Sequence, residues 1–346
     1  MGLTEKLQSH LPTPSRTAGR GAIGEAIRQR IEAESPLTVE QYMGLCNAHY
    51  YATRDPLGVA GDFTTAPEIS QMFGELAGAA LADCWLSAGA PADAAYVEFG
   101  PGRGTLAADA LRVLRQAGFA GDVHFVEISP VLREVQRKLH PGAHWHESLV
   151  TIPEGGPMLL VANEFFDALP VRQWVGDEER RILVEDGRLE FQVHGAIRED
   201  SPARDAVASE IGAQVGVRGG VALIFDYGHA QSGAGDTLQA VRGHRYADVL
   251  AEPGEQDLTA HVDFDALAKA AAVGDVIVTP VVRQGEWLER LGIAARAEAL
   301  AKAHPERAAE IAAAHERLCG PGQMGKLFKV MAIHSRSWPA PAGFGP

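Results

Sequence analysis

Between Ala94 and Leu106 the chain reads Ala-Ala-Tyr-Val-Glu-Phe-Gly-Pro-Gly-Arg-Gly-Thr-Leu, and no other segment limits the fold as strongly. An apolar run ending in an acid reads as a buried strand. The alternating Gly100, Gly102 and Gly104 read as a tight turn opening onto a helix N-terminus, where bare backbone can approach a ligand that a side chain would hold off. Further strands are predicted at 95–99, 123–127, 143–146, 158–162 and 221–226, with helices near 105–117, 130–139 and 203–215. That alternation implies βαβ units and a parallel sheet, hence an α/β fold.

In such sheets ligands bind beyond the carboxyl ends of the strands. The residues to read are therefore those that follow each strand, and the first two tips point to an adenosine-bearing cofactor. A dinucleotide fingerprint places its third glycine three positions after the second, but that position is Thr105 and the glycine comes early, at Gly104. Glu98, just before the turn, suits an ammonium group and would repel a pyrophosphate. Glu127, at the second tip, suits a ribose diol. Together these favour S-adenosyl-L-methionine (SAM) over NAD. Ser148 and Leu149, after the third strand, are expected at the adenine.

The fourth tip is Asn163-Glu164-Phe165-Phe166-Asp167. Asn163 is expected at the cofactor. Many nitrogen methyltransferases carry Asn-Pro-Pro-aromatic here, and the missing prolines argue against nucleobase methylation. Glu164 instead suits a guanidinium, which a carboxylate binds through paired donors. Glu164 and Asp167 would orient the acceptor nitrogen. An arginine keeps its proton near pH 7, so a base such as His229 or His261 is expected to take it up. His229, His244 and His261 with Asp257 and Asp263 lack any H-x-x-x-H or C-x-x-C spacing, so no metal is expected.

Composition narrows the function further. A net charge of −14 excludes a protein built to neutralise phosphates, so no nucleic-acid partner is expected. Cys46, Cys84 and Cys319 are widely spaced, which points to a reducing compartment. No apolar run reaches membrane-spanning length, and no membrane insertion is expected.

Four stretches are anticipated. Residues 1–22 read as a disordered leader. Residues 23–92 form a helical region in which Thr38 and Gln41 make a capping box and Pro67 opens a helix from Glu68 to Ser87. It contains a loop rich in aromatics and acids, 50–65. Residues 93–335 are the α/β core, with a hairpin at 172–193 turning at Glu185-Asp186-Gly187, a loop at 228–259, a helix from Asp263, a strand at 276–282, helices over 285–318 and a closing strand at 327–333. Residues 336–346 read as a flexible tail.

Several separated blocks resemble the MidA-like SAM-dependent methyltransferases, a family that includes the mitochondrial complex I assembly-factor arginine methyltransferase. They are Tyr50-Tyr51 to Asp55-Pro56, Gly61-Asp62 to Gly74-Glu75, Glu98 to Leu106, Asn163 to Val171, Asp226-Tyr227-Gly228-His229 and Gly254 to Phe264. The resemblance covers roughly residues 20 to 335. It implies a class I Rossmann-like methyltransferase sheet with an N-terminal helical region and inserted hairpin and helical elements. It places Gly100, Gly102 and Gly104 on the cofactor loop and Asp62, Phe63, Thr65 and Glu68 on a covering loop, with Asp226 and His261 also at the substrate side. The implied partner is a protein bearing an arginine, such as a respiratory complex I subunit, in a bacterial cytoplasm or a mitochondrial matrix. Two other readings stay open: methylation of a small molecule or of another nitrogen or oxygen acceptor, and an assembly factor that binds SAM without turnover.

Overall fold

The computed structural model describes residues 21–58, 61–62 and 64–345. Its centre is a sheet whose main path has seven strands: β1 (Ala95–Phe99), β2 (Val123–Val126), β3 (His144–His146), β4 (Met158–Asn163), β5 (Gly220–His229), β6 (Val276–Val278) and β7 (Phe328–Ser335). They lie in the order β6-β7-β5-β4-β1-β2-β3. Parallel pairing joins β3 to β2, β2 to β1, β1 to β4 and β4 to β5, whereas β7 runs antiparallel between β5 and β6. The strand order reverses between β1 and β4, so the tips of these two strands frame the crevice.

Ten helices of seven or more residues are described: α1 (Ala22–Ala33), α2 (Val39–Thr53), α3 (Gln71–Ser87), α4 (Thr105–Gln116), α5 (Pro130–Leu139), α6 (Pro202–Arg218), α7 (Phe264–Ala271), α8 (Gln284–Arg290), α9 (Ile293–Ala303) and α10 (Ala308–Cys319). The central strands are continuous apolar runs because both faces are covered. Alternate residues divide between two cores. Leu159, Val161, Leu223 and Phe225 pack with α3, α4 and Trp287. Leu160, Ala162, Ala222 and Ile224 pack with α6 and α7. A third core joins α1 and α2 to Ile182, Leu189, Ala240 and Leu258. The helix starts are fixed by side-chain caps: the Thr38–Gln41 capping box on α2, Ser129 on α5, Ser201 on α6 and Asp263 on α7.

The strands and helices of the core fall within a few residues of the expected positions. Elsewhere the structure corrects the sequence reading. The helix expected from Glu68 to Ser87 is broken: Ala66–Ile69 forms one turn, and Ser70, in extended conformation, caps Met72 and starts α3 anew. The segment 172–193 is not one hairpin. Arg181–Glu185 and Arg188–Phe191 form the hairpin, turning at Asp186-Gly187, and Leu37–Thr38 joins it as a third strand. Arg172–Val175 instead pairs with Ile197–Asp200 and Glu178–Glu179. The stretch 228–259 holds a three-stranded antiparallel sheet of Gln239–Arg242, Arg245–Ala247 and Asp257–Thr259. Val276–Val278 and Val282–Arg283 are separate strands, each against β7. The Pro-Gly-rich tail does not hang free up to residue 345: Phe344 is buried, and Trp287 Nε1 donates to the Ala342 carbonyl at 3.2 Å. Residues 1–20 of the leader lie outside the described residues, as does Phe63. No described helix is long and apolar enough to cross a membrane.

Candidate cofactor and acceptor site

The turn after β1 folds as its glycines require. Gly100, Gly102 and Gly104 have φ of +53°, +56° and +83°, in the left-handed region that side chains disfavour. Space is equally restrictive. A Cβ on Gly100 would stand 3.1 Å from the Phe165 ring, one on Gly102 2.7 Å from Leu57 Cδ1, and one on Gly104 2.8 Å from the His140 ring. The Gly104 carbonyl bonds that same imidazole at 2.8 Å. This concave backbone opens at the N-terminus of α4, the geometry that a ligand carrying polar groups needs.

Glu98 and Glu127 flank the turn. Glu98 is 2% exposed and accepts a hydrogen bond from the Tyr96 hydroxyl at 2.6 Å. Burial pushes its carboxyl up to about 8. Glu127 ends β2 and is also buried, with its carboxyl raised by desolvation. It accepts from Ser129 N at 2.7 Å and Gln136 Nε2 at 3.1 Å, which leaves each oxygen one further lone pair. Leu149 is buried in the single 3₁₀ turn after β3, and Ser148 is half-buried at its start.

At the β4 tip, Glu164 has φ +50°, an uncommon conformation for a residue with a side chain. Its N–H donates to the Phe225 carbonyl at 2.9 Å, and its Oε1 accepts from Ala66 N at 3.1 Å and Asn163 Nδ2 at 3.3 Å. Burial, and then the nearby Asp167 carboxylate, raise the Glu164 carboxyl to about 8. Asp167 is raised to about 6 by burial, against the pull of Arg204. Asp226 serves the backbone, accepting from Phe166 N at 2.9 Å and Asp167 N at 3.2 Å through Oδ2 and from Tyr227 N at 2.9 Å through Oδ1. Arg204 is buried beneath this turn and donates to the carbonyls of Phe166, Asp167, Ala260 and His261. It fixes the loop and offsets the acids.

The N-terminal region closes one side. Tyr50 donates to Asp62, whose Oδ1 also accepts from Gly243 N at 2.8 Å. Tyr51 donates to Asp257 Oδ1 at 2.7 Å. Asp257 is 4% exposed, and burial with the charge of Asp167 raises its carboxyl to about 8. Glu68 accepts from the Thr105 hydroxyl and lies 3.9 Å from Arg103, which binds Asp55 at 2.9 Å. Thr65 precedes the short 66–69 helix. Asp62 and Glu68 are thereby held by hydrogen bonds to neighbouring elements.

The structure thus gathers Asn163, Glu164, Asp167 and Asp226 around one turn. His229 lies apart from them, 3.8 Å from Asp263, in a cavity of about 360 Å³ lined also by Ser201, Arg204, Thr237 and His261. His261 meets the Tyr227 ring edge-on at 5.4 Å. No hydrogen bond or ion pair among the described residues links either histidine to Glu164. Sequence reasoning quoted Tyr51, Tyr227 and Asp257 within motif blocks without giving them a role at the site, and missed Arg204. The acidic, aromatic loop at 50–65 was a signal for Tyr51; a lone arginine in a helix gave none.

The residues present fit SAM. The turn has no room for side chains, Glu98 is a buried acid without a cation, and Asn163 Oδ1 is buried with no partner. The strand order, the antiparallel β7 and this site define a class I SAM-dependent methyltransferase. A family model described as "Putative S-adenosyl-L-methionine-dependent methyltransferase" matches residues 76–200 and 183–280. The chain is 36% identical to the mitochondrial protein arginine methyltransferase NDUFAF7 homolog of Drosophila melanogaster, over 91% of this chain and 85% of that one. To the human mitochondrial protein arginine methyltransferase NDUFAF7 it is 32% identical, over 88% of this chain and 81% of that one. A Burkholderia thailandensis protein crystallised with S-adenosylhomocysteine superposes with a TM-score of 0.80, at 25% identity and 96% coverage of both chains. The chain belongs to this family of SAM-dependent methyltransferases, and SAM is its cofactor.

Proposed function

We propose that this methyltransferase acts on the guanidinium nitrogen of an arginine in another protein. The observation that carries the reading is a surplus of acceptors. Asp167 Oδ1 is buried without a donor, and Glu164 and Asp257 stand beside it as carboxyls raised by burial, which an incoming cation would ionise. Guanidinium is a cation with five N–H donors and no acceptor, so it would satisfy the orphaned oxygen and stabilise the ionised form of these acids. A hydroxyl acceptor supplies one donor, and a carboxylate or phosphate none. The curated relatives named as arginine methyltransferases support the same class.

Bound SAM supplies an electrophilic methyl group on a sulfonium. The chain's own part is alignment and field. Gly100, Gly102 and Gly104 would admit the donor, Glu98 would hold its ammonium, Glu127 its ribose, Ser148 and Leu149 its adenine, and Asn163 its reacting end. Glu164 grips the incoming guanidinium and draws its electron density toward the nitrogen, with Asp167 beside it. Asp62, Thr65 and Glu68 hold the covering segment in place, and Asp226 holds the turn. His229 and His261 line a cavity that Glu164 and Asp167 do not line, and would take the proton only through intervening groups. Following the motif blocks, the protein acceptor is a respiratory complex I subunit. The compartment is a bacterial cytoplasm or, in a eukaryote, the mitochondrial matrix.

The test is mass spectrometry of a deletion strain against its complemented parent, together with the purified enzyme, SAM and the candidate subunit. A methylarginine lost on deletion and restored in vitro is expected. A methylated lysine, hydroxyl or small molecule in its place would overturn the reading.

A further inference from the structure

The helical block after β6 is longer than the methyltransferase chemistry uses, and two of its helices bring together three side chains of metal-binding type. Glu289 lies near the end of α8. His315 and Cys319 lie four residues apart on α10, on one face of that helix. One ligand atom from each lies within 4.8 Å of the others. His315 Nε2 already meets Glu289 Oε1 at 2.8 Å.

The geometry points to a divalent-metal site here, of the imidazole–thiolate–carboxylate type that zinc takes, bridging α8 and α10. Zinc holds nitrogen, sulfur and oxygen ligands at about 2.0–2.3 Å, so its donors stand roughly 3.5 Å apart. Binding would draw the three atoms, now within 4.8 Å of one another, to that spacing, the His315–Glu289 contact opening and the cysteine closing in. Cys319 and His315 are half-buried, whereas Glu289 is exposed. The ion would therefore sit at the rim of the helix pair, with three protein ligands and a fourth position open to water. Glu316, one residue after His315, adds a further negative charge that favours a cation at this rim. The thiol gives up its proton to solvent as the metal–sulfur bond forms, and neither metal nor sulfur changes oxidation state.

Spacing alone did not reveal the site. An H-x-x-x-C pair on one helix is half a motif, and its partner acid lies 26 residues earlier on another. The role implied is a clamp. A metal bound only in the folded chain stabilises it by mass action, here by fastening the inserted helices to each other.

The test uses the full-length protein, metal-stripped under reducing conditions, and titrated with Co²⁺ and then Zn²⁺. One ion per chain is expected, with a thiolate-to-cobalt charge-transfer band that zinc abolishes and a melting temperature raised by zinc. Cys319→Ser should remove the band, and His315→Ala should weaken binding at least about tenfold, with Glu289→Gln intermediate. Circular dichroism confirms that each variant is folded. A missing band, or one ion per chain that survives both Cys319→Ser and His315→Ala, would overturn the assignment; the latter would place the metal at other histidines. SAM binding should be unchanged throughout, which separates this outcome from the fate of the proposed acceptor.

Discussion

The Tyr51 hydroxyl donates to Asp257 Oδ1 at 2.7 Å across 206 residues of sequence, joining α2 to the strand 257–259. The pair brings the N-terminal region onto the acidic wall of the crevice, where burial and then the charge of Asp167 raise the carboxyls of Asp257 and Glu164. Tyr51→Phe removes the donor and leaves a buried carboxyl with one partner fewer. We expect a loss of about 1–2 kcal/mol in urea unfolding and a titration of Asp257 moved above its present value of about 8. An unchanged midpoint in the variant would mean that the contact carries no stability.

Glu164→Gln keeps the shape of the β4 tip but removes the carboxyl that a bound guanidinium would ionise. Its Oε1 bonds to Ala66 N and Asn163 Nδ2 are available to an amide oxygen as well, so the fold is expected to hold. Methyl transfer should fall at least about a hundredfold, with SAM affinity by calorimetry within a factor of about two. Parallel losses of SAM binding and turnover would instead assign Glu164 to the cofactor.

Gly102→Ala tests the cradle directly. The added methyl meets Leu57 Cδ1 at 2.7 Å and must hold φ near +56°, at a cost of about 1–2 kcal/mol. We expect SAM affinity to drop at least about tenfold while the melting temperature moves by only a few degrees. Full affinity in the variant would show that the turn can relax and that backbone approach is not what the glycine provides.

Much of this architecture was legible in the chain because parallel strands covered on both faces are largely apolar runs: 158–162, and 95–99 with Glu98 as its one acid, stand out without any partner in view. The glycine turn was legible for a different reason, since alternating glycines carry a backbone requirement that few other roles impose. What stayed hidden depended on distant partners. Arg172–Val175 pairs with Ile197–Asp200 rather than with the nearer hairpin strand, a choice of register that local periodicity does not encode. Arg204 earns its place through four carbonyls from two loops that meet only in the folded chain. The break at Ser70 was hidden because Pro67 signals a helix start without saying how far the helix runs.

Glu98 makes stability and cofactor binding depend on pH in opposite directions. Its carboxyl titrates at about 8 in the folded chain, against an ordinary value of 4.5. The folded state therefore holds a proton that the unfolded state has released, and the stability it contributes is full below about pH 4.5 and is lost as pH rises toward 8. One such group gives a slope of at most ~1.4 kcal/mol per pH unit in that window. An ammonium beside Glu98 favours the ionised form, so SAM affinity should instead climb from pH 6 to 8 and level off above. Glu98→Gln is expected to flatten both trends, read by urea unfolding at each pH and by calorimetric titration with SAM. If the variant keeps the full rise in affinity, the proton released on binding comes from another buried acid such as Asp257, and Glu98 does not meet the cofactor's ammonium.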